Sequence, residues 1–170
     1  VFATIYRQMR SLVGKTQDFD DLVQSALEQV HRSFPRFEAR AQVSTWTFRI
    51  CYQVWLKHLR WHRRFFARFS LADGARELDA EDPGPAVTEV LERAEKLAGL
   101  KRALDRVQPK RRAVLILHDL EGLSVAEIAE IVAANPLTVR SRLRDGRRRL
   151  AEELAKDPYF TEIVAEEDDA

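Results

Sequence analysis

The sequence predicts an all-α protein, with two small helical domains joined by a flexible acidic linker. Three observations point there. Apolar residues recur at helical spacing along most of the chain, and no stretch alternates in the manner of a strand. The segment "SLADGARELDAEDPGP" carries two Pro, two Gly and a run of acids without a sustained apolar face. Further on, between Ser124 and Pro136, a helix start, a break and a second helix start follow closely.

The elements follow in order. Val1, Ile5, Tyr6, Met9, Leu12 and Val13 already lie on one helical face, so the first helix is expected to have lost its own beginning. A second helix should open near Asp18, with acids favourably placed at its N-terminus, and run through Leu22, Val23, Ala26, Leu27 and Val30 until Pro35 stops it. Residues 35–43 read as a loop. Ser44 suits the N-cap of a long third helix from Thr45 to about Phe66, with Trp46, Ile50, Val54 and Leu59 as its core positions. These elements make a three-helix domain over 1–67. Residues 68–97 form the linker, although helical pattern resumes within it from about Ala86 and continues to Val107. The second domain covers 98–156 and a tail covers 157–170.

That second domain holds the sharpest local signal. Pro109 can open a helix, and Gly122 marks a turn. Ser124 and Glu127 stand three apart as a capping box, which satisfies N–H groups left unpaired at a helix start. Val125, Ile128, Ala129 and Val132 supply an apolar stripe. Ala133, Ala134, Asn135 and Pro136 break the helix, Asn135 able to cap the next one and Pro136 to enter its first turn. The next helix buries Val139, Leu143 and Leu150 and exposes Arg140, Arg142, Arg144, Arg147, Arg148 and Arg149. This is the pattern of a helix-turn-helix with arginines near the start of its recognition helix.

Charge supports a polyanionic partner. Overall net charge is +1, yet residues 1–66 hold eleven Lys/Arg against five Asp/Glu. Residues 67–100 hold four against eight, and Pro136 to Arg149 carries six Arg and one Asp. Two basic zones separated by an acidic one suggest two surfaces facing nucleic acid; ordinary solvated helix faces would also produce them. Guanidinium groups early in the recognition helix can donate two hydrogen bonds to a guanine edge, while those further along suit phosphates. In the third helix Trp46, Phe48, Tyr52, Trp55 and Trp61 alternate with Arg49, Lys57, Arg60, Arg63 and Arg64. Aromatic faces stack on unpaired bases and cations follow the backbone, but several of these rings must also build the core.

Other chemistry is weakly represented. The single cysteine, Cys51, excludes an internal disulfide and a cysteine zinc cluster, in keeping with a reducing cytosol. No apolar run approaches the ~20 residues of a membrane span, so no membrane insertion is expected. His58 and His62 stand four apart, a spacing that can hold a metal, but no third ligand is near in sequence and no metal site is expected. Gly-rich phosphate loops, nucleophile elbows and Ser/His/Asp arrangements are missing, so neither catalytic residues nor a cofactor are expected.

Two segments together resemble one family. "DFDDLVQSALEQVHRSFPRF", followed by "STWTFRICYQVWLKHLR", is similar to the first domain of the extracytoplasmic-function sigma factors of bacterial RNA polymerase. "GLSVAEIAEIVAANPLTVRSRLRDGRRRL" resembles their second domain. The helix-turn-helix alone also recurs in LuxR-type regulators; both segments in order, across an acidic linker, are specific.

The resemblance implies a cytoplasmic protein that binds core RNA polymerase and promoter DNA, promotes melting, and is commonly held by an anti-sigma factor. It makes Asp20, Asp21, Leu22 and Gln24 candidate polymerase contacts. For the −10 element it points to the loop Arg36–Val43 and the helix behind it, with Arg36, Arg40, Trp46, Arg49, Gln53, Lys57 and Arg60. For the −35 element it points to Thr138, Arg140, Ser141, Arg142 and Arg144. The linker would thread toward the polymerase active-site channel.

Three positions depart from the family pattern. Gln53 stands where Asn is usual, Lys57 where an acid or Asn is frequent, and Asp145 where a basic residue is common. Asp145 either alters −35 preference or pairs with Arg142 or Arg149. The acidic tail either folds back on the arginine face or is a solvated end. A stand-alone regulator would bind DNA without polymerase, and a helical interaction module would show no promoter preference.

Overall fold

A computed structural model describes residues 1–14, 16–38, 42–69 and 88–156 together with Phe160; side chains are described up to His62 and again from Glu95. All regular structure among these residues is helical. The helices are α1 (Phe2–Val13), α2 (Phe19–Ser33), α3 (Val43–Phe69), α4 (Thr88–Arg106), α5 (Pro109–Leu115), α6 (Val125–Val132) and α7 (Pro136–Leu154). A 3-10 turn (Phe34–Arg36) follows α2, and a π-helical stretch (Ile116–Leu120) continues α5. The central part of the expected linker, 70–87, lies outside the described residues. Its expected C-terminal end is the start of α4. The chain forms two compact units, one from Val1–Asp79 with Gly122–Pro136, the other from Ala80–Glu121 with Leu137–Ala170.

In the first unit α1, α2 and α3 pack pairwise, and α6 also lies on α3. The buried positions keep the helical period: Ile5, Met9 and Leu12 on α1, and Phe19, Leu22, Val23, Ala26 and Val30 on α2. With three neighbours, α3 buries more than one stripe, taking in Phe48, Ile50, Cys51, Tyr52, Val54 and Trp55. The core expectation for α3 therefore needs correction. Ile50 and Val54 are buried, but Trp46 and Leu59 are only half-buried, and the large core ring is Trp55.

One polar side chain inside this core is hydrogen-bonded through both amide atoms. Buried Gln8 donates from Nε2 to the Ser44 carbonyl at 3.0 Å and accepts from the Cys51 thiol at 3.9 Å. Ser44 lies inside α3, one residue past its start at Val43, so it is not the N-cap that its sequence context suggested. Burial pushes the Cys51 thiol up to about 12, which removes the thiolate on which redox or nucleophilic chemistry depends.

Helix α6 begins as its sequence predicts. Ser124 Oγ accepts from the Glu127 N–H at 3.3 Å, and the Glu127 carboxylate accepts from the Ser124 N–H at 2.9 Å. The helix ends at Ala133, whose left-handed backbone (φ 50°) is unusual for a residue with a Cβ. The residues 122–136, assigned by sequence to the second domain, group with the first unit because α6 buries Ile128, Ala129, Ile131 and Val132 over a wide arc.

In the second unit Ala103, Val107, Ala113, Val114, Leu115, Ile116 and Leu117 form the core with Val139 and Leu143. Pro109 opens α5, as expected. Gly146 lets α7 approach α5 closely: a Cβ there would lie 3.1 Å from Leu115 Cδ1. Buried Glu153 on α7 draws Arg106 of α4 to 3.2 Å, Arg149 to 2.7 Å and Lys156 to 2.7 Å. These bonds, the one from Lys156 foremost, hold its carboxyl below the usual range.

Candidate nucleic-acid and polymerase interface

Three sets of residues were singled out by sequence, and the structure sorts each. On the first turn of α2, Asp20 and Asp21 are exposed at the positive end of the helix dipole, where carboxylates are favoured. Gln24 is exposed one turn on and donates to Glu28 at 3.4 Å. Leu22 differs: at 4% exposure its side chain belongs to the core. Beside this turn a groove of 380 Å³ opens between α2 and α3, with Asp21, Val54, Lys57 and Trp61 among its lining.

On α3, the residues Arg49, Gln53, Lys57 and Arg60 are all exposed. Their spacings of four, four and three place them along one stripe, a ridge with three cations and one amide. At the start of the same helix Trp46 is half-buried, its ring 4.7 Å from that of Phe37 and 6.4 Å from that of Phe34. Arg36 is exposed on the 3-10 turn nearby. Arg40 lies outside the described residues. The aromatics named for stacking separate clearly. Phe48, Tyr52 and Trp55 are core, whereas Trp61 is 57% exposed and Trp46 presents part of its face. Arg63 and Arg64 have no described side chains.

On α7 the early residues are mixed. Arg140 and Ser141 are exposed, Thr138 is half-buried, and Arg144 is exposed with Nε 3.6 Å from Asp145. Arg142 was expected to be exposed, but it is half-buried and its Nη1 has no hydrogen-bond partner among the described residues. Asp145 pairs with neither Arg142 nor Arg149. Its carboxylate lies 3.6 Å from Arg111 of α5 and, through its other oxygen, beside Arg144. Arg147 grips Asp119 with two bonds, at 2.5 and 3.2 Å. That grip, with a smaller contribution from His118, holds the Asp119 carboxyl below its usual range and pushes the Arg147 guanidinium up. Arg149 is committed to Glu152 and Glu153. Arg147 thus ties α7 to the π-helical stretch of its own unit, Arg149 is engaged within α7, and the first turns keep exposed donors at Arg140 and Ser141. Nearly all of the acidic tail lies outside the described residues.

Comparison with known proteins shows the family to which the chain belongs. Residues 3–65 match the family model for sigma-70 region 2, and residues 97–150 match that for sigma-70 region 4. The chain is 30% identical to the ECF RNA polymerase sigma factor SigM of Mycobacterium tuberculosis, over 89% of this chain and 74% of that protein. The chain belongs to the extracytoplasmic-function sigma factors. It is 33% identical to SigE of Mycolicibacterium smegmatis over 89% of its own length, and spans 58% of that longer relative. The fold of this sigma factor is also that of RpoE from Bartonella quintana, solved with the anti-sigma factor NepR, at 23% identity and a TM-score of 0.68 over 92% of both chains. It is that of CnrH, solved with the cytosolic domain of CnrY, at 21% identity and a TM-score of 0.57 over 91% of this chain and 82% of the other. A sigma factor is a non-enzymatic polymerase subunit for transcription initiation, which accounts for a chain without a catalytic constellation in its sequence. No described helix is long and apolar enough to cross a membrane.

Proposed function

We propose that this sigma factor docks on core RNA polymerase through the first turns of α2, with Asp20, Asp21 and Gln24 as the contacts. The exposed ridge Arg49, Gln53, Lys57 and Arg60, together with Arg36, Arg40 and Trp46, then engages the −10 element. The start of α7 reads the −35 element, where Arg140 and Ser141 offer exposed donors and Thr138, Arg142 and Arg144 flank them. The functional domains of this reading are 1–67 and 98–156, with 68–97 as the linker and 157–170 as an acidic tail. The protein works in the cytoplasm under an anti-sigma partner; the complexes of RpoE with NepR and of CnrH with CnrY are the support for that partner.

One observation carries the reading. The segments matching regions 2 and 4 occur in order in one chain, and the region 2 segment presents a cationic ridge on a helix whose opposite faces are core. Cations on such a ridge follow phosphates, the half-buried Trp46 indole can stack an unpaired base on what it leaves exposed, and an amide such as Gln53 can pair with a base edge. Bond making stays with the polymerase.

The test is selection of promoters from a library randomised at both elements, using core polymerase and this chain. A −35 consensus that is lost in a Thr138/Arg140/Ser141 triple alanine variant, while the −10 consensus persists, supports the assignment. Equal loss of both elements, or none, contradicts it.

A further inference from the structure

We propose that Asp18, His58 and His62 form a binding site for one divalent transition-metal ion of the zinc class. In sequence the two histidines lack a third ligand, and no metal site was expected there; the fold supplies Asp18 from the start of α2. His58 and His62 stand four apart on α3, so both rings leave the same face of the helix. Their centroids are 4.2 Å apart. Asp18 Oδ2 lies 3.5 Å from His58 Nε2 and 3.3 Å from His62 Nε2. One ligand atom from each residue falls within 4.8 Å of the others.

The two Asp–His separations are longer than good hydrogen bonds and compatible with a shared ion. Good N–H···O bonds centre at about 2.9–3.0 Å. The edge of a tetrahedron with metal–ligand bonds of 2.0–2.1 Å is about 3.3–3.4 Å. Both Asp–His distances fall near the second value.

The carboxylate is also available. Asp18 occupies the N-cap of α2, where an Asp side chain ordinarily accepts from the backbone one turn ahead, yet it makes no such bond. Its oxygen is directed to the two imidazoles instead. The side chains of His58, His62 and Asp18 are 24%, 32% and 42% exposed, so the site is open to an ion on one side. Two imidazoles and one carboxylate leave a fourth tetrahedral position for water or a partner's side chain. An ion here would clasp the start of α2 to the second half of α3.

The experiment titrates Co²⁺ and Zn²⁺ into the untagged, chelator-treated chain, reading the visible Co²⁺ bands and the heat of Zn²⁺ binding. The expected result is one ion per chain, intense tetrahedral-type Co²⁺ bands, and a thermal midpoint raised by Zn²⁺. Asp18→Asn, His58→Gln and His62→Gln should each weaken binding at least tenfold, about 1.4 kcal/mol. His31→Gln and His118→Gln should leave it unchanged. Circular dichroism of each variant checks that the helices persist. Absence of saturable binding overturns the proposal, as does binding that survives all three site substitutions in folded variants.

Discussion

Leu22 and Glu153 show how one residue can carry a different load from the one its motif suggests. Leu22 sits inside the acidic motif that opens α2, but its side chain is core. Leu22→Ala should therefore cost about 2–5 kcal/mol of folding stability through lost burial and the cavity left behind. Denaturant unfolding measures this, and below the midpoint the folded variant should retain its affinity for polymerase. Glu153, on the last turn of α7, is the buried hub of three cations. Its folded pKa lies below its unfolded value, so its contribution is present above the unfolded value and disappears as pH falls through the folded one. Glu153→Gln should lower the thermal midpoint at neutral pH, and the gap from the parent chain should close on acidification below about pH 4. A gap that stays constant down to pH 3 would mean the carboxylate charge does not contribute.

At the scale of elements, legibility followed the range of the interactions. The capping box of α6, the proline that opens α5 and the boundaries of α2 are local features of the sequence, and all could be read directly. The face of α3 could not. It packs against three other helices, so its buried arc is too wide for a single-stripe reading to separate core rings from exposed ones. Ala133 adopts a left-handed turn without the glycine that would mark it. Arg111 and Asp145, and Arg147 and Asp119, are distant in sequence, so these two pairs could not be inferred from helical spacing. The third metal-type ligand, Asp18, is forty residues from His58 and escaped for the same reason. The close approach of α7 to α5 is another tertiary feature. Gly146→Val would drive side-chain carbons into Leu115 and should destabilise the chain by about 1–3 kcal/mol, read from chemical denaturation. A neutral or stabilising effect would show that this contact has room to yield.

For the whole molecule, two basic zones separated by an acidic stretch suggested two surfaces facing a polyanion, and the matches to regions 2 and 4 cover those basic zones. Promoter affinity then has a strong electrostatic component. It should fall steeply with salt, because each neutralised phosphate releases counterions. Polymerase docking through Asp20, Asp21 and Gln24 is the claim on which the rest depends, since without it the chain is only a DNA-binding protein. The most direct measurement is co-elution of the purified chain with core RNA polymerase at moderate salt, beside an Asp20/Asp21/Gln24 triple alanine variant. All three side chains are exposed, so the variant should fold. Co-elution of the parent chain and its loss in the folded variant is the predicted result. Equal co-elution of both, or of neither, would contradict the account.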